Sequence, residues 1–282
     1  MKGVKFAFNI DRLEVCYIAS KEVIDNLEDT TLWEREGYRI KSEYSEGIET
    51  LLKVEVIAPE TESGYRDYAR IRIGNTFEKE GDSFRYCWIR LENEILYRDA
   101  KEIAYLYWLE EDLSLSFNNI SYIELALDSS KNFFKRARAA IRSEEFTPIV
   151  LGRAYPELRE VIPSLKYIHT GDRRRYRTES ILIKSKDKTL ALEIYEKSRE
   201  IGESGKEYIR ESFGGSSSFY RLEAKIRNKA LKDYTIKSGL SQEDIYRRIT
   251  EKELLFEVWL FYTDKLLRFV DGNRNKVSIL QL

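Results

Sequence analysis

The stretch ISYIELALDSS, residues 120–130, decides how the chain is read. Ile123, Leu125 and Leu127 alternate with Glu124, Ala126 and Asp128, and a period of two is the signature of a β-strand with one buried face. Alternation puts Glu124 and Asp128 on the same face, with only the small Ala126 between them. Two carboxylates so placed repel unless a positive charge lies beside them. The candidates are a bound metal ion or an Arg or Lys from a neighbouring strand.

Outward from this strand the pattern is regular. SSKNFFKRARAAIRS follows it and reads as an amphipathic helix over 131–142. ESILIKSKDKTLALEIYEKSREI reads as two strands around the turn KSKDK, and FYRLEAKIRN as a further strand. The first hundred residues are mainly strand-like: FAFNIDRLEVCYIAS (6–20), then YRIKSEYSEGIETLLKVEVIA, then two alternating runs around the turn-rich EKEGDS. Residues 99–113 have apolar residues at helical spacing. From Leu240 onward the sequence reads as helices, with Ser241 as the first cap and Asp244 favourably placed for the helix dipole. NIDRLEVCYI (9–18) aligns without gaps on NISYIELALD (119–128), and in this alignment Ile18 stands where the second copy has Asp128. The expectation is an α+β protein of antiparallel sheets with packed helices, in two pseudo-duplicated halves. A sheet-rich half covers 1–115, a sheet-and-helix half 116–235, and a helical region 236–282.

Composition narrows the class. In 282 residues, 42% are hydrophobic and 34% charged, the balance of a water-soluble globular protein. No apolar run approaches the length needed to span a bilayer, and the N-terminal apolar run is too short for a signal peptide, so the expected location is cytoplasmic and no membrane partner is expected. Cys16 and Cys87 show no metal-binding spacing and read as reduced, buried thiols. The net charge of -1 does not favour a nucleic-acid binder, but local clustering decides that question, and 19 tyrosines supply rings able to stack on bases.

Three strand-like segments carry acids: Glu124 and Asp128, then Glu193, then Glu223. By alternation Glu193, Tyr195 and Lys197 share one face of their strand, and Arg221, Glu223, Lys225 and Arg227 share one face of theirs. If these strands are neighbours, the cluster is made of oxygen donors of the kind preferred by Mg²⁺ or Mn²⁺. A solvated sheet face with cross-strand Glu–Lys and Glu–Arg pairs fits the same pattern. His169 is the single histidine, which excludes a two-histidine metal site.

YIELALD resembles the acidic strand of the replication initiation factor family, the Rep-trans-type initiators of rolling-circle plasmids and filamentous phages. ESILIKSKDKTLALEIYEK and FYRLEAKIRN resemble that family's later segments in the same order, together spanning roughly residues 119–228. This chain departs from the pattern with Glu124 in place of Asp, Glu196 after the tyrosine, and no glycine in the KSKDK turn. The resemblance implies a DNA nicking-closing endonuclease that uses a phosphotyrosyl intermediate in replication initiation. It assigns Tyr195 as nucleophile, Lys197 as its activator or a phosphate contact, and Glu124, Asp128 and Glu223 as ligands of Mg²⁺ or Mn²⁺. Tyr208 and Tyr220 are the nearby alternatives to Tyr195. The implied partner is origin DNA, single-stranded or cruciform, with a host helicase and a homodimer as further expectations. DNA contacts are expected from Lys131, Lys135, Arg136 and Arg138 on the helix, and from Arg173, Arg174, Arg175 and Arg177 around Tyr176 in GDRRRYR. The alternative is an initiator or regulator that binds DNA without cutting it. No phosphate-loop or dinucleotide glycine pattern occurs, so no nucleotide cofactor is expected.

Overall fold

A computed structural model describes residues 4–29, 31–46, 49–59, 61–74, 84–157, 162–170 and 177–282. The first alternating segment forms one long strand, β1 (Phe6–Ser20). It passes directly into α1 (Lys21–Glu28), whose first turn is capped by the Ser20 hydroxyl accepting from the Val23 amide. The chain then runs through β2 (Leu32–Arg35), β3 (Tyr38–Glu46), β4 (Glu49–Ile57), β5 (Tyr65–Gly74) and β6 (Phe84–Leu91). Helices α2 (Asn93–Leu96) and α3 (Ala100–Asp112) follow, and then β7 (Ser116–Ser129), which contains the opening stretch. Next come α4 (Phe133–Ile141), β8 (Phe146–Val150), β9 (Arg153–Ala154), β10 (Leu165–Thr170), β11 (Arg177–Lys184) and β12 (Leu190–Tyr195). The last third holds α5 (Lys197–Ser204), α6 (Glu207–Ser212), β13 (Tyr220–Arg227), α7 (Asn228–Ser238), α8 (Gln242–Arg247) and α9 (Lys252–Leu266). It closes with β14 (Leu267–Asp271), β15 (Lys276–Ser278) and a 3₁₀ turn, Ile279–Gln281. The α+β class with antiparallel sheets is as the patterning predicts.

The chain forms two compact units. One comprises Met1–Ile10, Glu124–Gly239 and Glu251–Leu282; the other comprises Asp11–Ile123 and Leu240–Thr250. In the second unit the strand order is β1-β6-β5-β4-β3-β2, antiparallel throughout. Leu13, Val15, Tyr17 and Ala19 of β1 are fully or almost fully buried and mark the core face. Helix α3 buries Ile103, Leu106 and Leu109, and it is tied to the sheet by Tyr38 Oη donating to Asp112 at 2.6 Å and Tyr68 Oη donating to the Glu102 carbonyl at 3.0 Å. α8 joins the same core: Tyr246 Oη lies 2.7 Å from Tyr17 Oη and donates to Glu110 at 2.7 Å, while Arg247 pairs with Glu110 at 2.7 Å.

In the first unit the order is β10-β11-β12-β13-β7, beside a small sheet β15-β14-β8-β9. The two units therefore share one course: a strand, a helix, then a meander whose last strand returns beside the first. α9 fills the core of the first unit. Its Trp259 is fully buried, stacked on Phe256 at 5.4 Å and met edge-on by Phe8 at 6.2 Å.

The region 236–282 is not wholly helical. LRFVD leaves the helix at Leu267, which is extended, and forms β14, paired with β8 and β15. Its buried Leu267 and Phe269 alternate with partly exposed Arg268 and Val270, a two-residue period that the long apolar run before it hides. The polar segment after β1 likewise forms α1 and β2. α7 is a helix that the sequence reading passes over. Ala230, Leu231 and Tyr234 are its buried face, and Gly239 ends it at φ +76°, a left-handed conformation that glycine adopts without strain. Among the described residues no helix is long and apolar enough to cross a membrane.

Trp259→Ala should lower the unfolding free energy by about 3–5 kcal/mol, the usual cost of emptying a large aromatic site in a packed core. Urea denaturation followed by circular dichroism measures it; a loss below about 1 kcal/mol would show that α9 is not the keystone of this core.

Candidate active site

The site is built on three adjacent strands of the first unit. The register between β12 and β13 sets Glu193 opposite Glu223, Tyr195 opposite Arg221, and Ala191 opposite Lys225. β7 lies on the other side of β13. Alternation then brings Glu193 and Tyr195, Arg221, Glu223 and Lys225, and Glu124 and Asp128 to one face. Leu192, Ile194, Leu222, Ala224 and Ile226 turn to the other face and are fully buried.

Asp128 is fully buried, and so is the residue that meets it. Arg221 donates from Nε to one oxygen and from Nη2 to the other, each at 2.7 Å, the parallel fork that makes arginine–carboxylate pairs strong. The guanidinium also stands 3.9 Å from Glu223. Glu223, 3% exposed, divides its oxygens: one pairs with Lys225 at 2.9 Å, and the other accepts the Tyr195 hydroxyl at 2.8 Å. Lys225 also reaches Glu193 at 3.0 Å, and Glu193 accepts from the Ser180 hydroxyl at 3.1 Å. Burial by itself would lower the Lys225 ammonium, but the carboxylates of Glu223, Glu193 and Glu124 together raise it well above its ordinary range.

Glu124, Asp128, Glu193, Tyr195, Arg221, Glu223 and Lys225 are found on the face that alternation predicts for them. Asp128 is held by Arg221, the neighbouring-cation answer to the question posed by YIELALD. Glu124 and Glu223 each present a carboxylate oxygen within 4.8 Å of the other. Lys197 differs from expectation in its setting. β12 ends at Tyr195, and Lys197 is the first residue of α5 rather than the next member of the strand face. Its ammonium is nonetheless buried, 3.4 Å from Tyr195 Oη and 2.5 Å from Glu200. Ser180 and Glu200 carried no signal in the sequence, because their roles come from strand order and a helix start. Tyr208 lies on α6, and Tyr220 opens β13 one residue before Arg221, so alternation turns it to the other face.

Of the predicted DNA-contacting cations, Lys131 precedes α4 and Lys135, Arg136 and Arg138 lie on it. On α4, Lys135 and Arg136 are exposed and Arg138 is half-buried. Lys131 donates to the Leu280 carbonyl at 3.4 Å, and Arg136 donates to the Leu282 carbonyl. Burial, with Arg136 nearby, lowers the Lys131 ammonium. Arg173, Arg174, Arg175 and Tyr176 lie outside the described residues, as do the side chains of Arg177 and His169.

This is a charged, partly buried tyrosine site on an antiparallel sheet. No protein-family model matches the chain. No curated protein matches its sequence either. Among solved structures it is similar to the rolling circle replication initiator protein from Geobacillus stearothermophilus, at 11% identity and a TM-score of 0.49, covering 96% of this chain and 91% of that one.

Removing one partner of the buried pair should be costly. Arg221→Met leaves Asp128 charged and enclosed, an expected loss of about 3–5 kcal/mol, whereas Asp128→Leu with Arg221→Met should recover most of it. Urea unfolding of the three proteins tests this, and equal losses in the single and double variants would show that the ion pair is not the cause. For Lys225, a raised value in the folded chain means that its stabilising contribution is complete below pH 10.5 and fades as pH rises beyond that. The stability gap between wild type and Lys225→Met, read by urea unfolding across a pH series, should therefore hold through neutrality and shrink only in strongly alkaline solution.

Proposed function

We propose that this protein is a replication initiator that nicks and rejoins one strand of origin DNA through a covalent link to Tyr195. The observation that carries the reading is the setting of that phenol. Its Oη donates to Glu223 at 2.8 Å while the Lys197 ammonium stands 3.4 Å away, so a proton acceptor and a cation flank one hydroxyl. That is the arrangement an activated oxygen nucleophile needs. The ordered likeness of YIELALD, LALEIYEK and FYRLEAK to the rolling-circle initiators supports the same assignment.

In the reaction, Tyr195 Oη attacks the phosphorus of a phosphodiester. Its proton passes to Glu223, and the bond from phosphorus to the 3′ oxygen breaks. The products are a 5′-phosphotyrosyl link and a 3′ oxygen that takes up a proton from solvent water to leave as a hydroxyl, while Glu223 keeps the phenol proton for the reverse step. Lys197 stabilises the developing phenolate, and Arg221, fixed by Asp128, presents positive charge beside Glu223. Reversal by the same groups reseals the strand. The donor chemistry fits Mg²⁺ or Mn²⁺: Glu124 and Glu223 offer close, hard oxygen ligands. Asp128, named with them from the family likeness, has both oxygens on Arg221 and enters the site through that guanidinium. When bound, the metal would neutralise charge on the phosphate. The exposed cations of α4, Lys135 and Arg136, are the proposed contacts to origin DNA.

A second reading has an observation of its own. Asp128 and Glu223 already have cationic partners, as they would in a DNA-binding initiator that does not cut. Nicking of a supercoiled cognate origin, with detection of the protein–DNA adduct, separates the two. The expected result is an adduct that needs Mg²⁺ or Mn²⁺, disappears in Tyr195→Phe, and forms about 10²–10⁴-fold more slowly in Glu223→Gln. Normal nicking by Tyr195→Phe would move the nucleophile elsewhere. A folded protein that binds the origin but nicks it with neither metal would leave the binding-only reading.

A further inference from the structure

We propose that the second unit carries its own binding site for an unpaired polynucleotide strand, on the sheet face turned away from Tyr17, Tyr38 and Tyr68. The proposal concerns other residues than the tyrosine site and does not depend on cleavage. It starts from the register. Arg90 of β6 is directly opposite Arg70 of β5, Arg70 is opposite Lys53 of β4, and Lys53 is opposite Lys41 of β3. Four cations thus form one row across four adjacent strands, about 14 Å from end to end at the usual strand spacing. Like charges placed directly opposite destabilise a sheet, and solvated faces usually set opposite charges there instead. Here Glu14 of β1 stands opposite Arg90 at one end of the row, and the other acids flank the row along the strands. Arg70 meets Glu92 at 3.2 Å and Glu43 at 3.4 Å; Lys53 meets Asp67 at 2.7 Å; Lys41 meets Glu55 at 2.9 Å. Four acids balance the four cations, but these pairs are partly exposed, with Arg70 37% and Lys41 35% open to solvent, so each is weak and a phosphate can take the place of a carboxylate. Arg90 has no ion pair among the described residues.

The adjoining row supplies aromatic surface. Trp88, one pairing step along the same face, is opposite Arg72, whose guanidinium lies 4.3 Å from the ring centroid; Tyr86 follows, its ring 6.4 Å from that of Trp88. All three are half-buried. A line of cations beside a line of rings matches a single strand, whose phosphates run along one side and whose bases can stack on the other. A duplex would bring phosphates to the row but offer no free base to Trp88.

The test is binding of a labelled oligothymidylate, and of a duplex of equal length, by the full chain over a salt series with a metal chelator present. With cleavage thereby silenced, failure of the nicking reading leaves the outcome untouched. Lys53→Gln with Arg90→Gln should reduce the slope of log affinity against log salt by about 1.4, roughly 0.7 for each lost phosphate contact on a single strand. Trp88→Ala should weaken oligothymidylate about fivefold or more with the slope unchanged, and leave the duplex little affected. Tyr86→Ala, which removes the neighbouring ring and no charge, provides the same reading if Trp88→Ala fails to fold by circular dichroism. Wild-type binding by these folded variants would overturn the proposal. So would equal losses for single strand and duplex, or displacement of the oligonucleotide by polyglutamate at equal charge, either of which would mark a general anion surface.

Discussion

Everything on the tyrosine face depends on the pairing of Asp128 with Arg221. Two charges with no solvent exposure each cost several kcal/mol to bury, and only close, two-bond geometry offsets that cost. The fork at 2.7 Å on both oxygens meets the condition only when β7 and β13 are held in one register. Once Arg221 is fixed, the period of two fixes Glu223 and Lys225 on the same face, and the ladder to β12 fixes Tyr195 across from Arg221. The hydroxyl then donates to the Glu223 oxygen that Lys225 does not occupy. A buried pair that is poor evidence for stability is here strong evidence for register.

Much of this was legible in the sequence, and the unread part has a common cause. Alternation in YIELALD, LALEIYEK and FYRLEAK assigned the faces correctly, because side-chain direction in a strand is a local property. What lies between the acids was not local. Arg221 is 93 residues from Asp128, and no spacing rule reveals which strands become neighbours. Both answers, a metal or a neighbouring cation, therefore stayed open until the order β12-β13-β7 was known. Lys197 shows the complementary failure. Its period was right only while the strand lasted, and at Glu196 the chain turns into α5, so the ammonium reaches Tyr195 from a helix start. At the other end, LRFVD was absorbed into the helix before it because the run KELLFEVWLFYTDKL is apolar on so much of its circumference that a change of period is hard to see.

The two units make the sharper comparison, since they repeat one course with different chemistry. Glu14 and Glu124 fall at the same place in the aligned strands, but Ile18 stands where Asp128 stands in the second copy. Ile18 is opposite Tyr86 of β6 and asks for no charged partner. On the neighbouring β6, Arg85 pairs with Glu28 of α1 and meets no acid at this position, and the arginines of β5 lie a strand further away. Arg72 rests on Trp88 and Arg70 on partly exposed acids, while Arg221, facing an enclosed carboxylate, is withdrawn from solvent altogether. One apolar-for-acidic difference in the aligned strands thus goes with a face whose cations stay partly exposed and a face that locks a cation inward and leaves a tyrosine between Glu223 and Lys197.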